Sequence, residues 1–337
     1  MAVLTLTVGT QQAPTVASPQ TKSAAFGAVN PERCSVTRMS EQTTAPVSIV
    51  TGSNSGIGRA TAVSLAGAGH EVYATLRNLN GAGKLLAMAE AAGVEVHLVV
   101  LDVAIAESVN QGMAQIFAAA GRVDNLVNNA GVGGNAVTEE CPIELYEQVM
   151  NVNLYGPIRM AQAVLPHMRE RGAGCIVNVS SVVGKVAHIG QSPYYVSKWA
   201  VEAMSEGLAH EVAPFGIRVA IIEPGITKSA IFAKNVDAPN SSGAYDPQYR
   251  RMFQFYSAGI PDATPAEEVG AVILHAITTA DPKLRYTCSW GGSELVAGRA
   301  AMSDEQWVAL GALRNDAEYY KAFADQFGVD IAPAQLA

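Results

Sequence analysis

An α/β fold with a doubly wound parallel sheet is predicted for this chain from three observations. From Val47 onward, short β-branched runs alternate with alanine-rich helical stretches. Those runs are almost continuously apolar, as expected of strands buried on both faces of a parallel sheet. The first run opens directly into a glycine-rich turn at Thr51–Gly58 and then a helix, the junction where such sheets receive a nucleotide.

Strands are predicted at Val47–Thr51, Glu71–Leu76, Val94–Leu101, Asn125–Asn128, Cys175–Val179, Arg218–Ile222 and Arg285–Ser289. Helical patterns fill 57–69, 81–93, 106–120, 143–171 and 194–213 between them, and no internal repeat intervenes. Together they make one catalytic domain over 45–290. Residues 1–44 are rich in Ala, Thr, Ser, Gln and Pro and read as a disordered or dispensable leader. Two further readings of that segment stand: Met39 as the true start, or organelle targeting, since acids are scarce and Arg33 and Arg38 are present. Beyond the domain, 291–337 carries Trp307, Tyr319, Tyr320, Phe323 and Phe327, too many aromatics for a disordered end. This extension is expected to fold back near a substrate mouth or to pack on a partner subunit.

Composition narrows the function classes. Apolar residues make up 49% and charged residues 15%, with a formal net charge of −8. The negative balance gives no broad attraction to nucleic acid or to an anionic membrane surface. No apolar stretch approaches the roughly 18–20 residues of a membrane span. Cys34, Cys141, Cys175 and Cys288 form no C-x-x-C pair, which fits a reducing, cytoplasmic setting. The six histidines show no metal-ligand spacing, so no metal site is expected.

In the glycine turn, Gly52, Ser53, Ser55, Gly56, Ile57 and Gly58 would let backbone approach a pyrophosphate resting on the helix N-terminus. The second strand ends Leu76-Arg77, where an NAD site would carry an acid for the ribose 2′-hydroxyl. A carboxylate repels a 2′-phosphate, whereas a guanidinium pairs with it, so Arg77 favours NADP(H) over NAD(H). The plain alternative is a solvated loop arginine. At the end of the third strand, Asp102-Val103 meets the ligand edge of the sheet. Asp102 there either accepts from an adenine amino group or caps the next helix.

Tyr194 and Lys198 stand four apart, so a helix stacks phenol and ammonium on one face. Ser181 lies thirteen residues before Tyr194. A cation beside a phenol favours its ionised form, and a serine hydroxyl can bond a substrate oxygen. This is the minimum equipment for passing a proton to or from an alcohol or ketone.

Taken in order, Thr51–Gly58, Asp102, Asn128-Asn129-Ala130-Gly131, Asn153, Ser181, Tyr194/Lys198 and Pro224-Gly225 span about 47–230. In that order and spacing the chain resembles the short-chain dehydrogenase/reductase family in its single-domain, Rossmann-type form. The resemblance implies Tyr194 as acid/base, Ser181 polarising the substrate oxygen, and Lys198 lowering the pKa of Tyr194 while holding the nicotinamide ribose. It implies a water-linked proton path through Asn153, with Asn129, Ala130 and Gly131 lining the adenosine side. Pro224, Gly225 and Ser229 would face the nicotinamide; the family usually has Thr at the last position, and Ser229 keeps the hydroxyl.

Val72–Arg77, Val123-Asp124 and Gly156–Met160 resemble the branch with NADP-linked hydroxysteroid and retinol dehydrogenases, implying a lipophilic alcohol or ketone. A lid is expected at about 229–262, rich in aromatics that either cover an apolar substrate or only pack a helix on the sheet. Val183, Gly184, Val186, His188 and Gln191 would form another wall. Family likeness also implies a homodimer or homotetramer, with Met204 and Leu208 offering a subunit-facing stripe on 202–210. The rival readings are an epimerase or dehydratase, and a catalytically silent NADP(H)-sensing protein, for which Ser181, Tyr194, Lys198 and Asn153 would be superfluous.

Overall fold

The computed structural model describes residues 45–229 and 238–333. The leader, residues 230–237 of the expected lid and the last four residues lie outside them.

Seven parallel strands form one sheet: β1 (Val47–Val50), β2 (Glu71–Leu76), β3 (His97–Val100), β4 (Asn125–Asn128), β5 (Gly174–Val179), β6 (Ile217–Pro224) and β7 (Arg285–Cys288). Their order is β3-β2-β1-β4-β5-β6-β7, so chain direction across the sheet reverses between β1 and β4. Register sorts the side chains into two layers. Ile49, Leu126, Ile176 and Val219 align across adjacent strands on one face, and Val50, Val127, Val177 and Ala220 align on the other. The first row joins a core with α3 (Ala106–Ala120), α5 (Gly156–Arg171) and α6 (Ser192–Val212). The second joins α1 (Gly56–Gly67), α2 (Gly83–Ala91) and α8 (Ala266–Thr278). Because both faces are covered, strand residues had to be apolar in succession rather than in alternation.

Three differences from the sequence reading have physical causes. The third strand begins at His97, not Val94, because Val94 and Val96 pack against the second core before the chain joins the sheet edge. The long 143–171 pattern is α4 (Ile143–Met150), a single π-turn over Asn151–Tyr155, and then α5. Met204 and Leu208 do not form a free stripe: Leu208 is buried in the first core and Met204 packs against it. On α6 the outward apolar side chains are Val196 and Trp199. The sequence patterns also missed α8, whose Val269 and Ile273 are fully buried under the sheet.

At the C-terminal side, α7 (Asp246–Gly259), α9 (Gly292–Ala300), α10 (Asp304–Ala312) and α11 (Asp316–Phe327) build a third core. Leu295, Leu310, Tyr319, Phe323 and Phe327 pack there with Val182, Val183, Val186 and Phe255. Buried Arg251 of α7 pins this layer, bonding Asp316 Oδ1 and the Leu313 carbonyl, each at 2.8 Å. Its guanidinium also lies 4.3 Å from the Tyr319 ring centroid.

Candidate active site

The switch between β1 and β4 opens a crevice at the carboxyl ends of the strands, where ligands bind in such sheets. The glycine turn lies at its floor. Gly52 has φ +68, and a Cβ there would stand 2.8 Å from the Ala130 Cα. At Gly58 a Cβ would stand 2.6 Å from the Gly52 carbonyl oxygen. Both positions therefore need glycine for the turn to close. Thr51 Oγ1 accepts from the Asn129 and Ala130 backbone N–H groups at 3.0 Å, and Asn129 Nδ2 donates to the Thr51 carbonyl at 2.8 Å. Ser53 is buried and donates to the Val50 carbonyl at 2.8 Å. Ser55 ends the turn with its side chain unused as a cap, and the first turn of α1 from Gly56 and Ile57 has no acid. Free first-turn amides with no carboxylate against them suit an anion, so these residues fit the phosphates of a dinucleotide.

Leu76 is buried at the end of β2 and Arg77 emerges beside it, exposed, with no ion pair among the described residues. Asp102 Oδ1 accepts from the Ala104 N–H at 2.9 Å, which closes the turn before α3 and leaves Oδ2 for another partner. Val103 is buried against Gly156. Across the crevice, the Pro224–Ser229 segment faces the turn: a Cβ on Gly56 would stand 3.0 Å from the Ser229 Cβ. Gly225 donates to the Cys288 carbonyl at 2.8 Å.

Tyr194 and Lys198 occupy the first turns of α6, with the Lys198 Nζ 5.7 Å from the Tyr194 ring centroid. Ser181, following β5, donates to the Pro224 carbonyl at 3.3 Å and accepts from the Val183 N–H at 3.3 Å. Burial pushes the Tyr194 phenol up to about 12, against the pull of Ser181. Burial likewise pushes the Lys198 ammonium down to about 8, opposed by the carboxylate of Glu202. The Lys198 Nζ is held by the Val179 carbonyl at 2.8 Å.

Asn153 sits in the π-turn, which aims its side chain into the crevice. Its Oδ1 accepts from Val132 N–H at 2.8 Å, and Nδ2 donates to the Val132 carbonyl and to Ser197 Oγ, both at 2.9 Å. Ser197 Oγ donates in turn to the Tyr194 carbonyl at 2.7 Å. Gly131 adjoins this group; a Cβ on it would lie 3.4 Å from Asn153 Oδ1 and 3.9 Å from Lys198 Nζ.

The sequence-derived site residues thus fall on the turn after β1, at or just after the carboxyl ends of β2 to β6, on the π-turn and on the start of α6. Sequence reading missed Ser197 and Glu202, both buried on the inner side of α6. Their signal was a polar residue at helical spacing from Tyr194 and Lys198, which sequence alone does not separate from a solvated one. A cavity of about 330 Å³ is bordered by His188, by Ser192 and Tyr195 (near neighbours of Tyr194 along the chain), and by Trp307 and Leu310 of α10; Ser181, Tyr194 and Lys198 are not among the residues that line it.

A family model described as short chain dehydrogenase matches residues 46–240. An uncharacterized oxidoreductase, YusZ, of Bacillus subtilis is 34% identical, covering 78% of this chain and 96% of that protein. The 17-beta-hydroxysteroid dehydrogenase type 1 of Mus musculus is 36% identical, covering 71% of this chain and 72% of its own length. Among solved structures, a short-chain dehydrogenase from Streptomyces avermitilis superimposes with TM-score 0.69 at 34% identity, covering 80% of this chain and 98% of that one. A metagenomic short-chain oxidoreductase in complex with NADP gives TM-score 0.57 at 26% identity, over 72% of this chain and 95% of that one.

Proposed function

The chain belongs to the short-chain dehydrogenase family, and on that premise we propose that it is an NADP(H)-preferring oxidoreductase acting on a lipophilic secondary alcohol or ketone. The observation that carries this reading is the cluster of Ser181, Tyr194 and Lys198 at the carboxyl edge of the sheet, with Ser192 and Tyr195 of the same helix turn bordering an apolar cavity.

The nicotinamide, when bound, supplies or accepts the hydride at the substrate carbon. Every other part of the reaction falls to side chains. Ser181, whose hydroxyl pulls the Tyr194 phenol down against burial, holds the substrate oxygen next to the proton donor. A phenol pushed up to about 12 by burial is protonated at neutral pH, which suits proton donation to a ketone oxygen. Charge appearing on Tyr194 is met by the Lys198 ammonium in a site largely closed to water. Asn153 fixes Val132 and, through Ser197, the start of α6. The first-turn amides of α1 take the pyrophosphate, and unpaired Arg77 takes a 2′-phosphate. The complex of a similar oxidoreductase with NADP supports that preference. Apolar cavity walls, together with the relative acting on hydroxysteroids, support a lipophilic substrate. Family likeness also supports a homodimer or homotetramer, which light scattering measures.

NADPH consumption with steroids, retinoids, aliphatic ketones and aldehydes tests the reading. Turnover is expected with ketones, with a lower KM for NADPH than for NADH. Tyr194→Phe is expected to cut kcat by about 100-fold or more while NADPH binding persists. A Tyr194→Phe protein with unchanged turnover would overturn the mechanism, and a silent wild type that binds NADPH would favour the sensing role.

A further inference from the structure

Hydride transfer leaves one ring in the cavity wall without a task. His188 lies on the loop between β5 and α6 and borders both the 330 Å³ cavity and the narrower recess beneath it. Its ring packs on Phe255 with centroids 4.6 Å apart, and runs nearly parallel to Tyr256 at 6.3 Å. Nδ1 lies 3.2 Å from the Ile189 carbonyl. A carbonyl oxygen only accepts, so Nδ1 carries the hydrogen. Burial holds the imidazole down to about 4, and the ring is therefore neutral. In that tautomer Nε2 bears a lone pair and is an acceptor. Among the described residues Nε2 has no partner in the protein.

The recess around it is otherwise apolar, with Val183, Val186, Leu295 and Phe323 among its walls. Among the described residues, no permanently charged side chain borders either space. An acceptor in such a wall is costly when a ligand displaces water without offering a donor, and selective when the ligand offers one. An anionic ligand end would meet a lone pair at His188 Nε2 and, among the described residues, no cation.

We propose that His188 Nε2 accepts a hydrogen bond from a hydroxyl or N–H group of the substrate, remote from the oxygen that Tyr194 serves. The substrate class is then a lipophilic ketone or alcohol with a second, donor-bearing polar group, and His188 is a residue that sets specificity. This rests on the proposed function in taking the cavity as the substrate pocket.

Calorimetry on the full chain saturated with NADP+ tests it, since oxidised cofactor permits ketone binding without turnover. The probes are two ketone pairs, a decalone and an androstan-17-one, each with and without one hydroxyl on the ring farthest from the carbonyl. Wild type is expected to bind the hydroxylated member of at least one pair about tenfold tighter, the scale of one neutral hydrogen bond. His188→Leu should erase that preference, and His188→Gln, which keeps an acceptor, should retain much of it. Equal affinities within both pairs in wild type would overturn the proposal, with no variant needed. So would a His188→Leu protein that keeps the full preference. Binding that shows the preference while NADPH is never consumed would sink the oxidoreductase reading alone; no binding of any of the four ketones counts against both.

Discussion

Glu202 shows how a single side chain tunes the site from behind. It is buried one turn along α6 from Lys198, and its own carboxyl is pushed up by burial. Arg285 holds it at 3.0 Å, while Glu206 and Glu223 also face that arginine. Its charge opposes the burial that lowers Lys198 to about 8. Lys198 must be cationic to stabilise ionised Tyr194, so reduction is expected to lose rate as pH rises through about 8. Tyr194, near 12, stays protonated throughout that range. Replacing Glu202 with Gln removes an influence that raises the lysine pKa. The alkaline limb of kcat/KM is therefore expected to move to lower pH, with the neutral-pH rate affected least. A pH profile that does not move would show that Glu202 serves packing alone. Tyr194, Lys198 and Ser181 were legible in the sequence because their spacing is their chemistry. Ser197 and Glu202 were not, because a polar residue on a helix declares its burial only after the helix docks.

At the scale of elements, Asp124 fastens the start of β1 to β4 and α5. Its carboxylate accepts from the Val47 N–H at 2.8 Å and meets Arg122 and Arg171, each at 2.6 Å. Burial pushes this acid up, but hydrogen bonds from Arg122, Val47 and Arg171 outweigh it and hold the group below its ordinary value of 3.8. Asp124→Ala is expected to lower unfolding stability by about 2 kcal/mol in denaturant titrations at pH 7. The sign with pH follows from the depressed value: the contribution is complete above about 4 and disappears as acid protonates the folded-state carboxyl. The gap between wild type and variant should therefore narrow at low pH. Strand positions were largely readable from apolar runs, and the π-turn was not. Helical periodicity passes through Asn151–Tyr155 unbroken, and the wider turn follows from the bonds of Asn153 to Val132 and Ser197 across the crevice.

At the scale of the whole molecule, three large cores among the described residues divide the labour, beside a small fourth cluster of Val137, Tyr249 and Met252. Two sandwich the sheet and fix the crevice. The third joins α7 and the C-terminal helices to the loop after Ser181, so the extension forms a wall of the 330 Å³ cavity. Phe323 sits at its centre, 3% exposed, with Phe327 at 4.6 Å and Phe255 at 6.2 Å between centroids. Phe323→Ala is expected to cost about 3 kcal/mol, read as a lower Tm, because the cavity it leaves cannot fully collapse. Since Phe323 also lines the recess beside His188, the same variant should raise the KM for lipophilic ketones more than it lowers kcat. An unchanged KM would separate this core from substrate binding.

The sequence by itself determined the α/β class, the parallel sheet, the glycine turn and the Tyr194/Lys198 pair. Each is local: a run of apolar residues, a turn only glycine can make, two side chains one helical turn apart. Only the tertiary structure decided that Leu208 faces inward, that burial pushes the Tyr194 phenol up, and that α10 and α11 close over the cavity. Those facts depend on which surfaces lose water when elements far apart in the chain meet, and no local pattern encodes that.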